Sequence, residues 1–284
     1  MNPKNTHLCI ALVAGLLASG NAMSESELSD VLAAQPEGVK ARFEHRHPQE
    51  TLEFFGIEPG MTVVEALPGG GWYSKILLAY LGPEGKLVGA DYSADMFPLF
   101  GFFTEEQLAA KKNWVADWTA QANDWGVDNA AQIGAFQFGS LPEEAQGSAD
   151  AVVMIRALHN LARFESQGGF LTAAVKDAFD ALKPGGIVGV VQHQARDEMS
   201  DEFASGSRGY LKDDFVIKTF TDAGFVFNGL VDINFNEKDR PGEEDTVWRL
   251  PPTLATSRDN PELRETMKAI GESHRMTLKF SKPE

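Results

Sequence analysis

The chain has 284 residues, with 41 Asp and Glu against 25 Lys and Arg, a formal net charge of −16. That balance argues against non-specific nucleic-acid binding, which uses cationic side chains to displace counterions, and against docking on anionic lipid. Hydrophobic residues make up 43% and charged residues 23%, enough apolar content for one large α/β domain with a full core.

Residues 1–22 read as a secretory signal peptide. Lys4 supplies the positive start, and Leu8 to Ala18 is an apolar run too short to span a bilayer. Gly20-Asn21-Ala22 offers small residues for cleavage, making Met23 the expected mature start and residues 23–284 a single domain. This predicts export, to the periplasm or beyond. The single cysteine, Cys9, lies inside the leader, so the mature chain is expected to have no disulfide, thiolate ligand or Cys nucleophile. No later stretch is apolar for long enough to span a membrane, so no stable insertion is expected after cleavage.

Strands and helices then alternate. A helical stretch over Gln49–Phe55 precedes a short β-branched strand, Thr62–Ala66. Pro68-Gly69-Gly70-Gly71 is a sharp turn, and Trp72–Leu81 has apolar residues at helical spacing with Gly82 as its stop. Lys86–Ala90 is the second strand, ending at Asp91. Residues 92–134 read as a long, aromatic-rich connection. Ala135–Gly139 and Ala151–Ile155 are the third and fourth strands. A helix over Gly169–Leu182 is broken by Lys183-Pro184-Gly185-Gly186, and Ile187–Val191 is the fifth strand. A helix follows over Lys212–Ala223, and Phe225–Phe235 and Met276–Phe280 are the last strands. Residues 236–273 read as an inserted cap. Such alternation predicts a doubly wound, mostly parallel α/β sheet.

The turn after the first strand carries the chemistry. An acidic residue, Glu65, and a glycine turn precede a helix, and Asp91 ends the second strand. In open α/β sheets ligands bind at the carboxyl ends of the strands, where glycines let the backbone come close. Asp91 stands where an acid accepts hydrogen bonds from both ribose hydroxyls. A dinucleotide site wants a third glycine where Ser74 stands, and none of the four tyrosines has a Lys four residues later. An NAD(P)-dependent oxidoreductase is therefore disfavoured. Glu65 before the glycines suits a cationic ligand, such as a sulfonium with an amino-acid end, better than a pyrophosphate.

The chain resembles class I S-adenosylmethionine-dependent methyltransferases. More narrowly, it resembles a bacterial group of exported, predicted methyltransferases. It shares with that group Arg46-His47-Pro48, Glu50-Thr51-Leu52, Phe54-Phe55-Gly56, Pro59-Gly60-Met61 and Pro68-Gly69-Gly70-Gly71-Trp72-Tyr73. The resemblance covers residues 40 to 281. It implies a seven-stranded Rossmann-like methyltransferase sheet, with the cap between its last two strands, and S-adenosylmethionine as cofactor. By position it implies cofactor contacts from Glu65, Gly69, Gly71, Asp91, Ser140, Leu141 and Arg156. The family's first loop glycine is Leu67 here, and its adenine-binding acid is Ser140. Candidate catalytic residues are His159 after the fourth strand, His193 after the fifth, and Tyr73 opening the first helix. Arg46 and His47 are placed to cover the cofactor. His45 and His47 form a His-x-His pair with no third ligand at a recognisable spacing, so no metal is expected. The expected acceptor is a small molecule. A non-catalytic binding protein on the same fold is the alternative.

Overall fold

The computed structural model describes residues 28–284; the expected signal segment lies outside them. Thr62–Ala66 (β1) is built from β-branched residues whose alternate side chains enter two different cores, Val63 on one face and Val64 and Ala66 on the other. A strand covered on both faces needs this near-continuous apolar run. Lys86–Asp91 (β2) pairs parallel with it on one side, and Ala149–Ile155 (β4) on the other. Gln132–Gln137 (β3), Leu182–His193 (β5), Val226–Val231 (β6) and Arg275–Ser281 (β7) complete a seven-stranded sheet. Its order is β3-β2-β1-β4-β5-β7-β6, with β7 alone antiparallel to its neighbours.

Helices flank both faces. Pro48–Phe55 (α1), Trp72–Leu81 (α2) and Trp114–Asn123 (α4) cover one face, over a core that includes Phe55, Leu77 and Trp118. Phe170–Ala181 (α6) and Asp213–Asp222 (α7) cover the other, around Val175, Phe220 and Phe280. Each fully buried Leu, Val or Phe in these layers contributes about 1.5–3 kcal/mol. Glu105–Lys111 (α3), Leu158–Arg163 (α5) and Pro261–Ile270 (α8) lie over the sheet's ends and in the connections. Among the described residues no helix is long and apolar enough to cross a membrane.

Three elements differ from expectation. The third strand lies at Gln132–Gln137 rather than Ala135–Gly139. It forms a sheet edge, so its first half is polar and partly exposed, and one-to-one pairing with β2 sets its bounds. The sixth strand stops at Val231, and Phe235 instead packs on the His274 ring at 4.3 Å between centroids. Between β4 and β5 the register shifts, so β5 begins at Leu182 and Lys183-Pro184-Gly185-Gly186 loops out of the ladder.

Residues 92–134 are largely helical: a 3-10 stretch Ala94–Phe100, then α3 and α4. Their tryptophans seat on glycines. A Cβ on Gly89 would lie 2.8 Å from Trp118, and one on Gly71 2.4 Å from Trp125. Residues 232–274 return over the carboxyl ends of β4 and β5 before entering β7. They are tied down by a buried cluster in which Asp239 accepts from Arg249 (2.6 Å), the Tyr210 hydroxyl (3.0 Å) and the His274 amide (2.9 Å).

Candidate functional site

Strand order reverses between β1 and β4, so the chain diverges there and opens a crevice. The residue just past each strand turns the same way. Leu67 (φ 54°) donates its amide to Ala90 O, and Arg156 (φ 59°) donates to Val191 O, both at 2.6 Å. A left-handed backbone costs a side-chain-bearing residue about 1–2 kcal/mol, and such strain concentrates at functional sites. Gly69 (φ 53°) and Gly71 (φ 77°) complete the turn into α2.

On the β2 side lies a cleft of about 530 Å³, lined by Leu67, Gly69, Asp91, Tyr92, Lys111 and Trp114 among others. The Asp91 carboxylate accepts from the Tyr92 amide at 2.8 Å and from Lys111 Nζ at 3.2 Å. Burial raises its pKa, against the pull of Lys111. Lys111 Nζ also sits 4.3 Å from the centre of the Phe97 ring.

On the β5 side lies a smaller cavity of about 170 Å³, lined by Arg156, His159, His193, Trp248, Glu272 and Ser273, among others. Leu67 and Arg156 line both spaces. The two imidazole centroids are 5.5 Å apart, and Ser273 Oγ lies 2.6 Å from His193 Nδ1. His159 Nδ1 is buried with no hydrogen-bond partner among the described residues. Burial first, then neighbouring guanidiniums, pushes His159 down to about 4 and His193 well below its ordinary value. Both shifts favour the neutral imidazole.

Beside this cavity is a buried arginine cluster. The Glu272 carboxylate receives Arg46 Nε at 3.0 Å, an Arg42 Nη at 3.1 Å and an Arg275 Nη at 3.2 Å. Arg275 also donates to His45 O, and the Arg46 guanidinium lies 4.5 Å from the Trp72 ring centre. Burial alone would raise the Glu272 pKa, but Arg275, Arg46, Arg156 and Arg42 outweigh it and hold the carboxyl below its ordinary value.

The expected site residues separate into three groups. Gly69 and Asp91 stand on the cleft wall, Arg156 on the wall of both spaces, and His159 and His193 together in the cavity. Glu65 and Gly71 lie behind the turn. Glu65 accepts from Ser74 Oγ at 2.6 Å, and burial raises its pKa to about 7. Tyr73, expected as catalytic, is in the core, its hydroxyl donating to Arg46 O at 3.3 Å and pushed up to about 12 by burial. Ser140 is exposed and Leu141 lines a different cavity with Val64 and Val88, so neither lines the cleft; β3 ends at Gln137, two residues before the expected Gly139. Lys111, Trp248, Glu272 and Ser273 were not foreseen as lining residues. The run Glu272-Ser273-His274-Arg275 was a usable signal: four consecutive polar residues leading into the apolar part of a strand, and all four are buried.

No family model matches the sequence, and no curated protein sequence matches it. Solved structures do. A SAM-dependent methyltransferase from Aquifex aeolicus is 15% identical over 90% of this chain and 97% of its own, with a TM-score of 0.52. Geranyl diphosphate methyltransferase in complex with SAM is 15% identical over 94% of this chain and 93% of its own, at 0.50. The [4+2]-cyclase SpnF is 17% identical over 84% of this chain and 80% of its own, at 0.53. With its seven-stranded sheet and single antiparallel β7, this chain has the Rossmann-like fold of the S-adenosylmethionine-dependent methyltransferases.

Proposed function

We propose that the protein is an S-adenosylmethionine-dependent methyltransferase for a small-molecule acceptor, with the cofactor in the cleft and the acceptor in the cavity. The observation that carries this reading is the shared wall. Cleft and cavity meet at Leu67 and Arg156, at the point where the strand order reverses. The cleft suits the cofactor. It offers bare backbone at Gly69, a carboxylate at Asp91 and aromatic faces at Tyr92 and Trp114.

When bound, S-adenosylmethionine supplies an electrophilic methyl group on a sulfonium. The protein's own residues do the rest. Asp91 accepts hydrogen bonds from a diol once Lys111 gives way. The cavity walls Trp248, Pro251 and Pro252 hold an acceptor against the shared wall and keep water from it. His159 or His193 is placed to take the acceptor's proton, and the imidazolium so formed needs a counter-charge, which the carboxylate of Glu272 on the same wall or an anionic acceptor supplies. Ser273 fixes the His193 ring.

A ligand-binding protein without turnover is the second reading, favoured by the occupied state of the expected ribose acid: Asp91 Oδ2 accepts from Lys111 and Oδ1 from the Tyr92 amide. The export reading rests on residues 1–22 and is tested by N-terminal sequencing of protein recovered from the cell envelope. A start at Met23 supports it, and an intact Met1 contradicts it.

Titration calorimetry with S-adenosylmethionine, S-adenosylhomocysteine and NAD tests the cofactor. Micromolar binding of the first two without NAD is expected, and Asp91→Ala should weaken it by at least about tenfold, or roughly 1.4 kcal/mol. Binding of NAD alone, or unchanged affinity in the variant, would remove the assignment.

A further inference from the structure

We infer that the His159–His193 cavity takes an acceptor bearing an anionic group, a carboxylate or a phosphate, which pairs with the Arg156 guanidinium. The inference rests on the proposed methyl-transfer reading for the word acceptor, but not for the anion.

The first argument is charge. Four guanidiniums, those of Arg42, Arg46, Arg156 and Arg275, surround one carboxylate, Glu272. Three of them consume it: Oε1 receives Arg46 and Arg42, and Oε2 receives Arg46 and Arg275. The Arg156 side chain makes no hydrogen bond or ion pair with any described residue, although it is partly buried and its surroundings push its pKa down to about 9, burial being the largest cause. The other deeply buried acid nearby, Asp239, is committed to Arg249, Tyr210 and the His274 amide. A partly buried guanidinium without a protein partner is left with donors that a ligand entering the cavity can satisfy. This inversion occurs inside a chain whose net charge is −16.

The second argument is placement. Arg156 is held at φ 59°, directly after β4, on the wall of the cavity. Across that cavity His159 and His193 face one cation, Arg156, and one carboxylate, Glu272, which Arg42, Arg46 and Arg275 already engage. The third argument is unmet hydrogen-bonding capacity. His159 Nδ1, on the cavity wall, is buried and unpartnered among the described residues. A small space with a free guanidinium fork matches the planar or tetrahedral oxygens of a compact acid.

The cofactor's amino-acid end also carries a carboxylate, so the test must tell the two apart. S-adenosylhomocysteine is first bound to saturation. Inorganic phosphate, benzoate and uncharged benzamide are then titrated by calorimetry into the wild type, Arg156→Gln and Arg156→Lys. One of the two anions is expected to bind and benzamide is not. Whichever anion binds identifies the group as phosphate or carboxylate. Arg156→Gln should weaken the anion by about tenfold or more, and by clearly more than it weakens S-adenosylhomocysteine; Arg156→Lys, which keeps the charge without the fork, should fall between. Should Arg156→Gln not fold, Arg156→Lys and the benzamide arm decide. No anion binding to the loaded wild type overturns the inference. So does an anion indifferent to Arg156, or joint loss of anion and S-adenosylhomocysteine in Arg156→Gln, which would give the guanidinium to the cofactor. Failure of S-adenosylhomocysteine to bind the wild type defeats the methyltransferase reading separately. The same anion titrations on the protein alone then still decide the anion site.

Discussion

The cleft over β1 and β2 and the cavity over β4 and β5 share two residues and little else. The cleft is open, lined by rings and bare glycine backbone, and its carboxylate at Asp91 already holds a lysine. The cavity is small, lined by Arg156 and Glu272, and burial is the first cause that disfavours charge on its imidazoles. One sheet therefore carries two chemically different environments, divided by the residues that leave β1 and β4. A cleft presenting the Asp91 carboxylate suits a ligand with a diol; a cavity presenting an unpaired guanidinium beside two imidazoles suits an anionic acceptor. Fold alone predicts the first space, because every open α/β sheet has a switch point. The second depends on the segment between β6 and β7, which this chain supplies.

The comparison breaks most severely at Glu272. Glu272→Gln removes the carboxylate shared by Arg42, Arg46 and Arg275. Stability should fall by about 3–5 kcal/mol in urea unfolding. A loss below about 1 kcal/mol would show that the cluster is solvated rather than buried. The cleft's cofactor affinity is the internal control, since Glu272 does not line it.

A smaller effect comes from pH. His159 titrates near 4 in the folded state and near 6.5 unfolded, so the unfolded chain binds the extra proton between those values. The sign is that of a depressed group: the contribution is full above pH 6.5 and is lost as pH falls towards 4, by roughly 3 kcal/mol for this imidazole. His159→Gln should flatten the stability profile across that window. A profile unchanged by the substitution would place the proton elsewhere. Glu65, raised to about 7, has the opposite sign and loses stability as pH rises from 4.5, so it does not mimic the effect.

The smallest effect is expected at Lys111. Its pair with Asp91 is partly solvent-exposed and worth about 0–1 kcal/mol, so Lys111→Met should raise cofactor affinity by no more than about fivefold. Loss of affinity in that variant would mean that Lys111 itself holds the ligand.

Half of this was legible from the residues. β1 at Thr62–Ala66 and α2 at Trp72–Leu81 were readable to the residue, because a β-branched run and a glycine stop leave little choice. β3 and β6 were displaced because edge strands are half exposed and lose the apolar signature. Gly69 and Asp91 could be placed from strand ends and a turn. Glu272 could not, because its partner Arg46 lies 226 residues away and only the sheet brings them together. Tyr73 was misread for a related reason. It opens a helix pointing at the site, but helical periodicity turns its ring into the core beside Leu77.

The most direct test of the division between cleft and cavity is a crystal structure of the S-adenosylhomocysteine complex. The predicted result is the nucleoside in the cleft, its ribose on Asp91 with Lys111 displaced. Its sulfur should stand at the Leu67–Arg156 wall, facing His159 and His193. Ligand density inside the His159–His193 cavity, with the Asp91–Lys111 pair intact, would contradict it.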